Sequence, residues 1–240
     1  MIGNLNSEIS NPKSAVTYRQ AMAFAVEGDV RFLSHADTLR LFARAMARAG
    51  LPVHHSAGFN PHPQISIPLP RSVGMASVAE RVVIGLDEPV PPEEARARLQ
   101  AQMPEGIRIT RAWELAPSDS CQPVRVAYSV ELPAENSSPA AQDGVLAGQI
   151  GALLERGEFT LERKSPKHRT GKRIDIRPYI DRLELRRPPA SDANPCDSPL
   201  ELHMWLRVTP QGTVRPVEVC KALGIPTDAI QHRVRRMEVE

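Results

Sequence analysis

The sequence predicts an α+β fold: a ferredoxin-like β-α-β-β-α-β unit followed by a second, less regular α+β unit. Segments with strand-like alternation flank two segments of helical periodicity between residues 18 and 115. Similar segments recur, less regularly, after residue 123. Hydrophobic residues make up 41% of the 240 residues, which is enough for a buried core and is typical of a globular protein.

The first unit begins with a strand at 18–27, followed by a helix from Ser34 to Ala49. Ser34 is the expected N-cap, with Asp37 three residues later as in a capping box, and Gly50 stands where a C-terminal glycine belongs. The remaining elements are strands at 64–69 and 79–86, a helix at 91–103 and a strand at 107–115.

The second unit is predicted from strands at 124–132 and 200–208 and from helices at 142–156 and 216–224. Segments 159–164 and 173–186 indicate a basic hairpin between them. We therefore expect three regions: a loose tail at 1–17, a ferredoxin-like domain at 18–116 and a second α+β domain at 123–240.

The composition favours a cytoplasmic protein that has no contact with membranes. The N-terminal residues are polar, and no apolar run reaches the length needed to cross a bilayer. The three cysteines, Cys121, Cys196 and Cys220, are too far apart for a zinc site or an iron–sulfur cluster. No glycine-rich nucleotide loop is present, so we expect neither a metal nor a cofactor.

Basic residues are concentrated between Arg163 and Arg187, a segment with ten basic and three acidic residues. The net charge of the whole chain is only +2. A basic segment on a mildly acidic body is typical of a polyanion-binding protein, although such runs are often simply solvated. The candidate RNA contacts in this segment are Lys164, Lys167, Arg169, Lys172, Arg173 and Arg177.

A second basic set lies on the first helix, where Arg40, Arg44 and Arg48 repeat every four residues and so share one face. This face is either a soluble outer surface or a stripe that grips phosphates through planar guanidinium groups. In the RNA-binding interpretation, the stripe and the basic segment converge on one surface that holds a sugar-phosphate chain.

The candidate catalytic residues are His35, Asp37 and His62. His35 and Asp37 lie in the first helical turn, where the helix dipole favours a neutral imidazole able to exchange protons. His62 belongs to a stiff polar loop at 53–63, whose motif residues are Ser56, Gly58, Phe59 and Asn60. The loop also holds His54 and His55, but the spacing includes no carboxylate that would complete a zinc site.

Residues 32–74 resemble the signature of the radical-SAM-linked protein family, a bacterial family of unknown function. The resemblance rests on Ser34-His35-x-Asp37, Arg40, Arg44, Gly50-Leu51-Pro52, Ser56-x-Gly58-Phe59-Asn60-Pro61-His62-Pro63 and Gly74, and segments 173–180 and 214–224 extend it. Members of that family occur alone or fused to B12-binding radical SAM proteins, often near genes for an E/G-type ribonuclease. The resemblance therefore implies a radical SAM partner.

Three functions fit these observations. The first is an RNA-binding accessory that presents RNA to a radical SAM enzyme for modification or processing. The second is a scaffold that docks on such an enzyme without nucleic acid. The third is an RNA-processing enzyme in which His35 or His62 moves protons and Arg40 or Arg44 stabilises phosphate charge. A non-enzymatic accessory is the expectation, and aromatic residues, at 4%, are too few for extensive base stacking.

Overall fold

The computed structural model describes residues 18–116, 118–132, 139–165, 168–187, 199–230 and 232–240. Its helices are α1 (His35–Arg48), α2 (Pro92–Gln100), α3 (Pro139–Glu155), α4 (Pro216–Ala222) and α5 (Thr227–Ile230). Its strands are β1 (Tyr18–Val26), β2 (Ile65–Ser66), β3 (Ala76–Leu86), β4 (Ile107–Leu115), β5 (Arg125–Glu131), β6 (Thr160–Ser165), β7 (His168–Asp175), β8 (Ile180–Arg186), β9 (Glu201–Thr209), β10 (Gly212–Thr213) and β11 (Val234–Val239). The predicted α+β class is confirmed, and the predicted tail at 1–17 lies outside the described residues.

One sheet of nine strands runs through both halves of the chain. Its order is β10-β9-β5-β11-β3-β1-β4, with β2 also paired to β3 and β8 also paired to β9. Strands β6 and β7 form a separate two-stranded hairpin. All pairings are antiparallel except that of β11 with β3, which is parallel.

Both halves follow the same path of strand, helix, strand, strand, helix, strand. In the first half the neighbours run β4-β1-β3-β2, and in the second half they run β11-β5-β9-β8. The β6–β7 hairpin is inserted in the second half, between α3 and β8. The two halves therefore repeat one strand order, and the predicted domain boundaries remain a prediction because one sheet crosses them.

Helix α1 forms where its capping residues predict it. The Ser34 hydroxyl oxygen accepts a hydrogen bond from the Asp37 backbone N–H, and Gly50 follows the helix with a φ of 62°. That φ is in the left-handed region, which glycine adopts without a side-chain clash. The buried side of α1 places Phe42 against Phe24 of β1, with ring centroids 4.8 Å apart. The predicted N-terminal and C-terminal signals of α1 are both confirmed.

Two predicted strands differ from the structure. The segment 64–69 pairs only at Ile65 and Ser66, since prolines on either side supply no backbone donor. The stretch 173–186, predicted as one arm of a hairpin, is interrupted by a 3-10 turn at Arg177–Tyr179. Pro178 lies within that turn and ends the β7 ladder, so β8 joins the large sheet as a separate strand.

An ion pair is buried where β11 meets β3. The Arg236 guanidinium donates to both carboxylate oxygens of Glu80 at 2.9 Å, and the two side chains are 3% and 2% exposed. The same guanidinium donates to the carbonyl oxygen of Leu69 at 3.1 Å, and it lies over the ring of Tyr128. Burial raises the pKa of the Tyr128 phenol, the largest influence on that group. The pair therefore joins the first half to the second inside the core.

The helices of both halves cover the same face of the sheet. Glu80 lies with His35 and Thr38 of α1, while Tyr128 belongs to the core cluster that contains Leu153 of α3. Because Arg236 contacts both Glu80 and Tyr128, these side chains are on one side of the sheet. The opposite side, which carries Trp113 of β4 and Trp205 of β9, is the open face.

We expect Glu80→Ala to lower the free energy of unfolding by about 3–5 kcal/mol, because it leaves the Arg236 charge buried without its counter-ion. The matched control is Glu94→Ala, which removes an ion pair with Arg98 whose carboxylate is 54% exposed and which should change stability by less than about 1 kcal/mol. Urea denaturation measures both values. Equal losses in the two variants would contradict the importance of the buried pair.

Gly74→Ala should destabilise the protein by about 1–3 kcal/mol. The residue has a φ of 86°, and an added Cβ would lie 2.6 Å from the His232 Nδ1. Gly144→Ala is the control, since it lies within α3 with nothing within 4 Å and should stabilise by up to about 1 kcal/mol. Thermal unfolding of the two variants should shift in opposite directions, and a shared direction would count against this account.

Candidate functional site

The three arginines of α1 line one groove, as their spacing predicts. The groove has a volume of about 730 Å³ and lies between α1 and the connection from α2 to β4. Arg48 donates to the side-chain oxygen of Gln102 at 3.3 Å and to its carbonyl oxygen at 2.9 Å. Among the described residues, Arg44 has no hydrogen bond or ion pair. The groove lining also includes Leu33, Asp37, Arg40, Leu41, Met103 and Pro104.

Asp37 is the one carboxylate in the lining of this groove. It accepts a hydrogen bond from the Ser34 hydroxyl at 2.6 Å and one from the Arg40 guanidinium at 2.8 Å. These contacts hold the pKa of the Asp37 carboxyl below its usual value, with the Ser34 hydrogen bond the larger cause. Asp37 therefore stays charged at neutral pH and offsets one of the three guanidinium charges, so the groove is net positive.

The motif loop is closed on itself and raises its tip into solvent. The Ser56 backbone N–H donates to the His62 carbonyl oxygen at 2.8 Å, and the His62 N–H donates to the Ser56 hydroxyl oxygen at 3.0 Å. Gly58 provides the turn with a φ of 130°, and Phe59 beside it is fully exposed. Asn60 is also exposed. The loop therefore presents polar groups and the exposed Phe59 ring to solvent.

Behind this loop is a cavity of about 420 Å³ over the C-terminal part of β3. His62, Ser56 and His54 line it together with Arg19 of β1. The Nδ1 of His54 donates to the Asp87 carboxylate at 2.5 Å, which fixes that ring. His55 is directed elsewhere, with its Nδ1 on the Val53 carbonyl oxygen at 2.8 Å.

His35 occupies a different environment. It lines a cavity of only about 10 Å³ with Arg71 and Glu80, which is at the lower limit for one water molecule. Arg71 donates to the carbonyl oxygens of Arg31 and Met75 at 2.5 and 2.6 Å, and burial lowers its pKa. His35 therefore belongs to the packed surroundings of the buried Arg236–Glu80 pair.

Within the described part of the chain, the candidate catalytic residues do not share a site. His35 lines the small cavity near Glu80, His62 lines the cavity behind the motif loop, and Asp37 lines the α1 groove. Their side chains thus face three separate spaces, and no described group of His, Cys, Asp and Glu is arranged to hold a metal ion.

Several side chains of the basic segment bond to other groups of the protein. Arg163 forms an ion pair with Glu218 at 2.6 Å, and Arg177 donates to the carbonyl oxygens of Leu154 and Ile180. Lys172 and Arg173 are exposed on β7. Lys167 lies outside the described residues, as do the side chains of Lys164 and Arg169.

The stripe on α1 and the basic segment are anchored at different ends of the sheet. The groove of α1 adjoins the α2–β4 connection, whereas Arg163 is held by Glu218 and by the carbonyl oxygen of Thr213 in β10. Five strand spacings separate β4 from β9, or roughly 24 Å. An RNA that touches both sets has to extend over about that distance.

Two features of the structure are not predicted from the sequence. One is the Glu80–Arg236 pair. Its two residues lie in strands in which polar and apolar residues alternate, and that pattern does not show that the two side chains are buried together. The other is the open face, where both tryptophans and many arginines lie. Assigning alternate strand residues to one face would have found the second feature, because Trp113 and Trp205 each occupy an open-face position.

Comparisons with known proteins identify a family but no function. No curated protein matches the sequence. A protein of unknown function from Galdieria sulphuraria has a TM-score of 0.26 at 13% identity over 87% of this chain and 88% of its own. The CRISPR endoribonuclease Cse3 bound to a 19-nucleotide RNA has a TM-score of 0.21 at 12% identity over 92% of this chain and 99% of its own. Both scores are too low to assign a shared fold.

None of the helices in the described ranges combines the length and the apolar character that a membrane-spanning helix needs. Residues 19–216 match the sequence profile of a family described as an uncharacterized protein conserved in bacteria. Since the match covers most of the chain, the protein belongs to this uncharacterised bacterial family, DUF2344.

Proposed function

We propose that this protein is an RNA-binding accessory, acting in the cytoplasm, that presents RNA to a radical SAM enzyme for modification or processing. The main support for RNA binding is the groove of α1. Arg40, Arg44 and Arg48 line it, and Asp37 is the one carboxylate in its lining. Four helical residues rise about 6 Å, so the three guanidiniums form a ladder along the groove. Such a ladder suits successive phosphates of a nucleic acid backbone.

The state of the three guanidiniums supports this proposal. Arg40 is 68% exposed, and its partner Asp37 is 48% exposed, so their ion pair is weak and a phosphate can replace it. Arg48 is held in position by a neutral partner, Gln102, and keeps its full charge. With Arg44 unpaired among the described groups, binding to a polyanion does not require a buried ion pair to break.

The strand order supports a ferredoxin-like arrangement of each half. In the four-stranded ferredoxin-like plan the fourth strand pairs with the first, and the third lies between the first and the second. Strands β4-β1-β3-β2 and β11-β5-β9-β8 follow that order. We infer two ferredoxin-like units in tandem, the second carrying the β6–β7 hairpin. The radical SAM partner rests on the family resemblance of residues 32–74.

Arg44→Ala should weaken RNA binding and reduce the slope of log affinity against log salt concentration by about 0.7–0.9, because one phosphate contact is lost. Fluorescence anisotropy with a labelled RNA of about twenty nucleotides, at about 50–200 mM salt, measures both quantities. The control is Arg96→Ala, which removes an arginine paired with Glu93 on α2, outside the groove. An unchanged slope for Arg44→Ala would place RNA elsewhere, and the absence of any salt-dependent binding by the parent protein would overturn the proposal.

Asp37→Asn should strengthen RNA binding by about twofold to fivefold, since it removes the charge that opposes phosphate beside Arg40. An asparagine at this position still accepts the Ser34 hydrogen bond, so the helix keeps its cap. The lowered pKa of Asp37 keeps the parent carboxylate charged, and the gain should persist from about pH 5 upward. Weaker binding by this variant would show that Asp37 contributes to recognition itself.

A further inference from the structure

The open face of the sheet is rich in arginine. Residues directly opposite each other on neighbouring strands point to the same face, so the register of the strands identifies its members. Nine arginines occupy open-face positions: Arg19, Arg81, Arg108, Arg111, Arg125, Arg182, Arg186, Arg207 and Arg235. The carboxylates at corresponding positions are Glu131, Glu184, Glu201 and Glu238, with Asp181 at the bulge in β8. All five of these carboxylates belong to the second half, where they match its five arginines, so the excess of positive charge lies on the first half. What the second half offers to an anionic partner is the exposed guanidiniums of Arg182, Arg186 and Arg207.

Pairs of these arginines share a carboxylate. Asp181 accepts hydrogen bonds from Arg125 at 3.2 Å and from Arg207 at 2.6 Å, while Glu184 forms ion pairs with both Arg182 and Arg186. Glu240 adds a second acid beside Arg125. The Glu184 group, with two guanidiniums and one carboxylate, keeps one net positive charge. Its carboxylate also restricts the motion of the two guanidiniums, so less entropy is lost when they bind a ligand.

Trp205 lies within this arrangement. The Arg182 guanidinium is 4.8 Å from the centroid of its ring, and the Arg186 guanidinium is 5.6 Å from it. The two arginine side chains are 60% and 51% exposed, and Trp205 is half-buried. The residue opposite Trp205 on β5 is Ala127, which is buried. The result is a layered aromatic and guanidinium surface that is reachable from solvent.

We propose that the open face of the second half binds single-stranded RNA, with a nucleobase stacked on the Trp205–Arg182 layer and phosphates held by Arg186 and Arg207. This inference rests on the proposed RNA-binding function and assigns it a second surface, separate from the α1 groove. Stacking on an aromatic ring and on planar guanidinium groups is a common way to hold unpaired bases, and it requires no particular sequence.

The chemistry of the surface favours RNA over an acidic protein. An acidic peptide needs cations alone, whereas the guanidiniums around Trp205 are arranged against an aromatic ring that has no role in binding a carboxylate. A strand of RNA offers bases and phosphates together, which matches a surface that offers a stacking layer beside charge.

The fluorescence of Trp205 tests the proposal directly. The chain has two tryptophans, so Trp113→Phe leaves Trp205 as the sole indole and keeps the proposed contact intact. Oligouridylate of about twenty nucleotides should quench this protein in a saturable way, with the same midpoint as anisotropy. Trp205→Val should weaken binding of that RNA by about fivefold to a hundredfold, and Trp205→Phe by much less. Circular dichroism checks that both variants remain folded.

Each result decides between the surfaces. RNA binding by anisotropy without quenching of Trp205 would overturn the open-face proposal and leave the α1 groove standing. Absence of binding in both measurements would remove the proposed function as well. Poly-L-glutamate that quenches Trp205 as strongly as oligouridylate would show that the surface responds to charge alone, and it would overturn the stacking.

Discussion

The ion pair between Arg236 and Glu80 holds the two halves of this protein in one sheet. Only two residues of β11 pair with β3 through the backbone, so side-chain contacts at that junction matter more than the ladder. The Arg236 guanidinium satisfies a buried carboxylate and two carbonyl oxygens of the segment before Arg71. A charge with so many fixed partners tolerates little displacement, because any shift leaves a buried group unsatisfied.

The same junction explains residues that otherwise suggest catalysis. His35 lines one small cavity with Glu80, Arg71 donates to main-chain carbonyl oxygens, and Gly74 lies against His232, where no side chain fits. This part of the motif is therefore accounted for by assembly of the sheet. The motif loop differs, since His62 and Ser56 line a solvent-reachable cavity and Phe59 packs on nothing among the described residues.

Local signals predicted local structure well. Ser34 and Gly50 delimit α1 as expected, because caps act within a few residues, and the i, i+4 spacing placed Arg44 in a groove with its neighbours. The groups to which each arginine side chain bonds were not predictable from local signals. Arg177 bonds to carbonyl oxygens of Leu154 and Ile180, and the former contact depends on how α3 packs. Alternation within β9 places Trp205 and Arg207 on one face, but the strands that lie beside β9 depend on pairing between segments far apart in sequence, which periodicity alone does not reveal.

The position of β11 has a consequence for biosynthesis. Arg236 and Glu80 are 156 residues apart, and β11 lies between β3 and β5 near the middle of the sheet. While the ribosome is still making that distant segment, the facing edges of β3 and β5 have unpaired backbone groups. Nascent chains are therefore at risk of intermolecular strand pairing, and the protein should depend on chaperones during synthesis more than its size alone suggests.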